Sequence, residues 1–104
     1  MNTSTNNYDA LEQLIYGENI RIQTIDVHTT QDLLIILLNT GGILRETISN
    51  YPRLQGASDD QLKNYQLIGK GTGVHWPDID EDLSLKGFLS NSLRNLVYNP
   101  HKVA

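Results

Sequence analysis

Residues 73–82 read Gly-Val-His-Trp-Pro-Asp-Ile-Asp-Glu-Asp and hold the only Trp, one of three His and four acids within five positions. His75, Asp78, Asp80, Glu81 and Asp82 are the residue types that ligate a divalent cation or carry a proton. Their spacing supplies neither role outright. Pro77 bends the chain between His75 and the acids, and no His-x-x-x-His pair is present. Asp78-x-Asp80-x-Asp82 matches the first three ligand positions of a calcium loop, but Leu83 stands where Gly is required and the closing Glu is missing. Three readings stay open: an acidic turn ahead of a helix N-terminus, a partner-contact surface, and a metal or acid–base site.

Other reactive side chains are scattered. His28 and His101 are isolated, and both read as surface histidines. No Gly-x-Ser-x-Gly elbow accompanies the many Ser and Asp residues, and the absence of Cys removes thiolate catalysis, disulfides and Cys-type zinc sites. No catalytic residue, metal ligand or cofactor is assigned on this basis. Arg53 follows Tyr51-Pro52 and precedes Leu54, a guanidinium in an otherwise apolar turn. It either pairs with the acids at 78–82 or faces solvent.

These side chains must be positioned by one small domain. The chain has 104 residues, 38% apolar and 19% charged, a globular composition. Twelve acids against eight bases leave a net charge of −4, so no basic field exists to collect phosphates, and nucleic-acid binding is disfavoured. The longest apolar run, Leu33–Leu38, is too short to span a membrane, and the polar start at residues 1–7 does not resemble a secretory signal. Cytoplasmic residence is the default expectation.

Residues 1–18 are expected to form a mobile tail and a short helix with Tyr8, Leu11, Leu14 and Ile15 at helical spacing, ended by Gly17. In residues 19–28, Ile20 and Ile22 fall on one parity and Ile25 and Val27 on the other; a bulge near Gln23-Thr24 would reunite them. Leu33–Leu38 reads as a central strand buried on both faces. Asn39-Thr40-Gly41-Gly42 supplies a reversal into a strand over residues 43–48, completing an antiparallel meander that Pro52 ends. Ser58-Asp59-Asp60-Gln61 is a capping box opening a two-turn helix with Leu62 and Tyr65 inward.

Gly69, Gly71 and Gly73 do not form a phosphate loop, since no helix N-terminus or Gly-Lys-Ser/Thr follows; a turn between two short β segments fits better. An edge strand at 73–77 would bury Trp76 against a helix, put Val74 on the opposite parity and stop at Pro77. Ser84 is then an N-cap, with Leu83 and Phe88 as a hydrophobic staple. The terminal helix over 85–98 carries Leu85, Leu89, Leu93 and Leu96 on one stripe and ends at Pro100. The expected fold is α+β: a three-stranded meander plus a short strand near 73–77, covered by two or three helices, with a domain at 19–98 and a tail at 99–104.

Tyr51-Pro52-Arg53-Leu54, Ala57-Ser58, Asn64-Tyr65, Leu67-Ile68-Gly69 and above all His75-Trp76-Pro77-Asp78-Ile79-Asp80-Glu81-Asp82 resemble domain-of-unknown-function family 2442, over about residues 20–90. The resemblance implies a small bacterial or archaeal β-rich α+β domain without assigned activity. It also implies a neighbouring small protein encoded alongside, an arrangement similar to a toxin–antitoxin pair with this domain as the antitoxin. The polar start and the helix beyond Leu89 fall outside the family pattern.

The reading that follows is a protein-binding module with a small, toxin-like partner and no catalysis. Its contact residues are Arg53, His75, Asp78, Asp80, Glu81 and Asp82, with Trp76 as either contact or core anchor. A metal-dependent protein using His75 and the acids, or a homo-oligomer built on a sheet edge, are the alternatives.

Overall fold

Leu33–Leu38 forms β2, the middle strand of an antiparallel meander with β1 (Ile22–His28) and β3 (Ile43–Thr47), in the computed structural model, which describes residues 8–98. The expected tails at 1–7 and 99–104, with Pro100 and His101, lie outside the described residues. The bulge falls as expected, between Ile22 and Thr24, where the register to Leu38 and Leu37 slips. It turns both Ile22 and Ile25 onto the face of Leu34, Ile36 and Leu38, and all five are buried. β2 is not buried on both faces, however. Leu33, Ile35 and Leu37 are only half-buried, because no layer covers them and the neighbouring Asp26, Arg45 and Thr47 are exposed.

Ahead of the meander, α1 (Ala10–Glu12) runs into a π-helical turn at Gln13–Gly17. A reciprocal capping box between Asp9 and Glu12 starts it, and Lys86 bridges both acids at 2.7 and 3.3 Å. Only Ile15 of the expected apolar face is fully buried; Tyr8 and Leu14 are exposed. After β3, a 3₁₀ turn (Ile48–Asn50) leads to α2 (Asp59–Lys63), capped reciprocally by Ser58 and Gln61 as read from the sequence.

A second antiparallel sheet replaces the lone edge strand. β4 (Gln66–Ile68), β5 (Gly73–Trp76) and β6 (Glu81–Ser84) pair in that order, so β5 is central. Val74 and Trp76 share a face, both without exposed surface, which corrects the opposite parity expected for Val74. The sheets meet where Gly71 has φ +93° and a side chain there would approach the Ile22 carbonyl oxygen to 2.8 Å. Close backbone approach, rather than phosphate, explains that glycine.

α3 (Leu85–Tyr98) follows β6 directly, with Ser84 Oγ accepting from the Gly87 amide at 3.0 Å. Leu85 and Phe88 complete a core shared with Leu54, Leu62, Val74 and Trp76. The expected inward stripe holds only in the first half. Leu93 and Leu96 are exposed.

Candidate functional site

The hairpin joining β5 to β6 carries the sequence's densest chemistry, and its geometry follows from three local devices. Pro77 ends β5, Asp80 adopts φ +50° to reverse the chain, and Trp76 pairs with Glu81 as the last rung of the ladder. Glu81 and Asp82 therefore belong to a strand, not to a turn capping a helix as one sequence reading held. The remaining acids decorate the turn.

His75, Asp78, Glu81 and Asp82 are each tied down. His75 Nδ1 lies 2.5 Å from Asp82 Oδ1 across the ladder, where the register sets the two residues opposite each other. Asn64 Nδ2, just after α2, donates to Asp78 Oδ2 at 3.1 Å, and Glu81 Oε1 accepts from the Asp82 amide at 3.0 Å. Arg53 reaches the same turn but contacts the Ile79 carbonyl oxygen at 3.5 Å, with no carboxylate in ion-pair range among the described residues. Trp76 is wholly buried and its Nε1 donates to the Leu62 carbonyl at 2.8 Å. Of the two roles open to Trp76, burial selects core anchor, and the indole offers no surface to a partner.

The hairpin thus assembles Arg53, His75, Asp78, Asp80, Glu81 and Asp82 on one rigid projection, with Asp78, Asp80 and Asp82 exposed. Among the described residues, no three His, Asp or Glu side chains converge to hold a metal ion.

A model for proteins of unknown function, DUF2442, matches residues 24–93. The chain belongs to the DUF2442 family. A protein of unknown function from Rhodospirillum rubrum is 32% identical and superposes with a TM-score of 0.62, over 69% of this chain and 87% of its own. An uncharacterised protein from Chromobacterium violaceum, 22% identical, superposes at 0.64 over 96% of this chain and 97% of its own, which speaks to the fold alone. No curated protein matches significantly. The match to the DUF2442 model includes the whole hairpin and stops at Leu93 within α3, so Leu96, Val97 and Tyr98 lie beyond it.

Two features of this DUF2442 domain escaped the sequence reading. Glu46 is 5% exposed, the sole buried charged residue among those described. Its Oε1 accepts from the Tyr51 hydroxyl and from Asn91 Nδ2, while Oε2 has no partner among the described residues. Burial pushes the carboxyl up from its ordinary range, outweighing the two hydrogen bonds, and burial together with the neighbouring carboxylate holds the Tyr51 phenol far above its usual value. The available signal was alternation, since Leu44, Glu46 and Ile48 share one parity and that parity faces the core.

The second feature is the far half of α3. Leu93, Leu96, Val97 and Tyr98 are between 52% and 76% exposed, on a helix without an acid. No helix among the described residues is long and apolar enough to cross a membrane.

Proposed function

We propose that this DUF2442 domain is a protein-binding module that holds a small partner protein, as an antitoxin holds its toxin. The observation that carries this reading is the exposed apolar half of α3. Four large apolar side chains on one helix end make a patch of the kind that marks protein association rather than a soluble monomer's ordinary surface. The acidic hairpin supports the reading in a second way. Asp78, Asp80 and Asp82 are exposed and the chain is net acidic, so a basic partner is drawn in faster. In this division of labour the helix provides contact area and the hairpin provides steering.

The test is affinity capture of the tagged protein from its native cell extract, with the stoichiometry of any complex measured by light scattering. A one-to-one complex with a small basic protein, lost in a folded Leu93→Ser/Leu96→Ser variant and slower to form in an Asp80→Ala/Glu81→Ala/Asp82→Ala variant, is the expected result. Self-association alone would replace the reading with a homo-oligomer. A strictly monomeric protein with no stoichiometric partner overturns it.

A further inference from the structure

We propose that the outer face of the β1-β2-β3 meander docks a second copy of this chain, in a two-fold, face-to-face dimer. Leu33, Ile35 and Leu37 run down the middle of that face half-buried, with no layer of the described residues over them. Ile43, beside Leu37, is 59% exposed. A stripe of large aliphatic side chains along one sheet is the inner face of a sandwich that lacks its second layer.

The strand register states what that second layer has to match. Residues opposite one another in the ladders share a side of the sheet, which gives three rows across the face. They are Thr24, Leu37 and Ile43, then Asp26, Ile35 and Arg45, then His28, Leu33 and Thr47. The middle row is an anion, an aliphatic side chain and a cation. Asp26 and Arg45 are exposed and stand two strands apart, about 10 Å between backbones, with Ile35 between them. Among the described residues neither forms an ion pair, although Arg45 also borders the cleft towards α3. They are the only Asp, Glu, Lys or Arg of these three strands on this face, since Glu46 is buried on the other.

A row with opposite charges at its ends complements itself in one orientation only. Rotating a second copy about an axis along β2 lays its β1 over the first copy's β3. Asp26 of each copy then faces Arg45 of the other, and Thr24 covers Ile43. Rotating it about an axis across the strands instead sets Asp26 against Asp26 and Arg45 against Arg45. The charges select the first arrangement, in which the ion pair is made twice by symmetry and the two sheets lie near-aligned. An unrelated partner has no reason to repeat this spacing, whereas a second copy repeats it by necessity.

The size of the face sets the strength of the dimer. Three strands, with a central strand of six residues, present roughly 300 Å² per copy, well below the roughly 800 Å² per partner of a stable complex. The dimer is therefore weak and salt-sensitive, populated at high micromolar concentration. The face does not include α3, so the dimer and the partner-binding reading stand or fall separately.

The experiment is sedimentation equilibrium of the full chain from about 10 μM to about 1 mM, at low and at physiological salt. The expected result is a monomer–dimer equilibrium that weakens as salt is raised. Asp26→Arg and Arg45→Asp should each weaken it about tenfold or more, because each sets like charges against one another in both symmetry-related pairs. The double variant Asp26→Arg/Arg45→Asp should restore it. Both positions are exposed, so these variants keep the fold. Leu93→Ser/Leu96→Ser should dimerise as the wild type does. A chain that is monomeric throughout this range overturns the proposal, as does a dimer that either single reversal leaves unchanged or that the double variant fails to restore. Dissociation by Leu93→Ser/Leu96→Ser would overturn it too, by placing the contact on α3.

Discussion

Four acids crowd the β5–β6 hairpin, and one acid, Glu46, stands alone on the inner face of β3. The crowded acids are exposed or half-exposed, and Asp78, Glu81 and Asp82 each have a partner. The solitary one is buried, shares one oxygen between two donors and leaves the other unmet. Density of charge in a sequence therefore marks where carboxylates are cheap to hold, at a solvated turn. A single carboxylate inside costs more, because desolvation acts on it without a neutralising neighbour.

The comparison makes the hairpin mechanical, and the largest expected effect tests that. Trp76→Ala removes a buried indole and its bond to the Leu62 carbonyl, and should cost about 3–5 kcal/mol in denaturant unfolding. A loss below about 1 kcal/mol would mean that the hairpin is not anchored through Trp76. At the other pole, Tyr51→Phe takes one of two donors from Glu46 while keeping the ring. The expected loss is about 1–3 kcal/mol, seen in the same unfolding measurement.

Acidity separates the two regions more finely. The Glu46 carboxyl is pushed up in the folded protein, so its contribution to stability is fully present below its unfolded pKa and is lost as pH rises through the folded value. Stability should accordingly decline on going from the ordinary glutamate range towards neutrality, and Glu46→Gln should remove that slope. A slope that survives the substitution would detach it from Glu46. The exposed carboxyls of Asp9 and Asp59 act in the other direction: Lys86 and Lys63 hold them down, and the stability they contribute disappears as pH falls through their lowered values. The two windows lie on opposite sides of the ordinary carboxylate range and can therefore be read apart. The smallest effect belongs to the hairpin surface, where Asp82→Ala breaks an exposed pair with His75 and should change stability by no more than about 1 kcal/mol.

Patterns confined to one stretch of chain were readable in advance. The Ser58–Gln61 box, the bulge after Ile22 and the Ser84 cap depend on neighbours a few residues away, and each formed where its residues stand. The site was legible in part. Asp82 and His75 were singled out by type, but their contact comes from the register of β5 on β6, which was not foreseen because β6 was taken for a turn. Arg53 was read as either pairing with these acids or facing solvent; it is exposed and contacts the Ile79 carbonyl oxygen, not a carboxylate.

Nearest-neighbour chemistry, set by side-chain size, capping oxygens and the freedom of glycine, is already complete within the chain order, and it specified the meander, the caps and the α+β class. Contacts between distant segments are not. Asn91 meets Glu46 across 45 positions, and Trp76 meets the Leu62 carbonyl across 14. Burial depends on what the rest of the chain places overhead, so the fold alone decided that Trp76 is core, that Glu46 lies inside, and that Leu93 and Leu96 face outward.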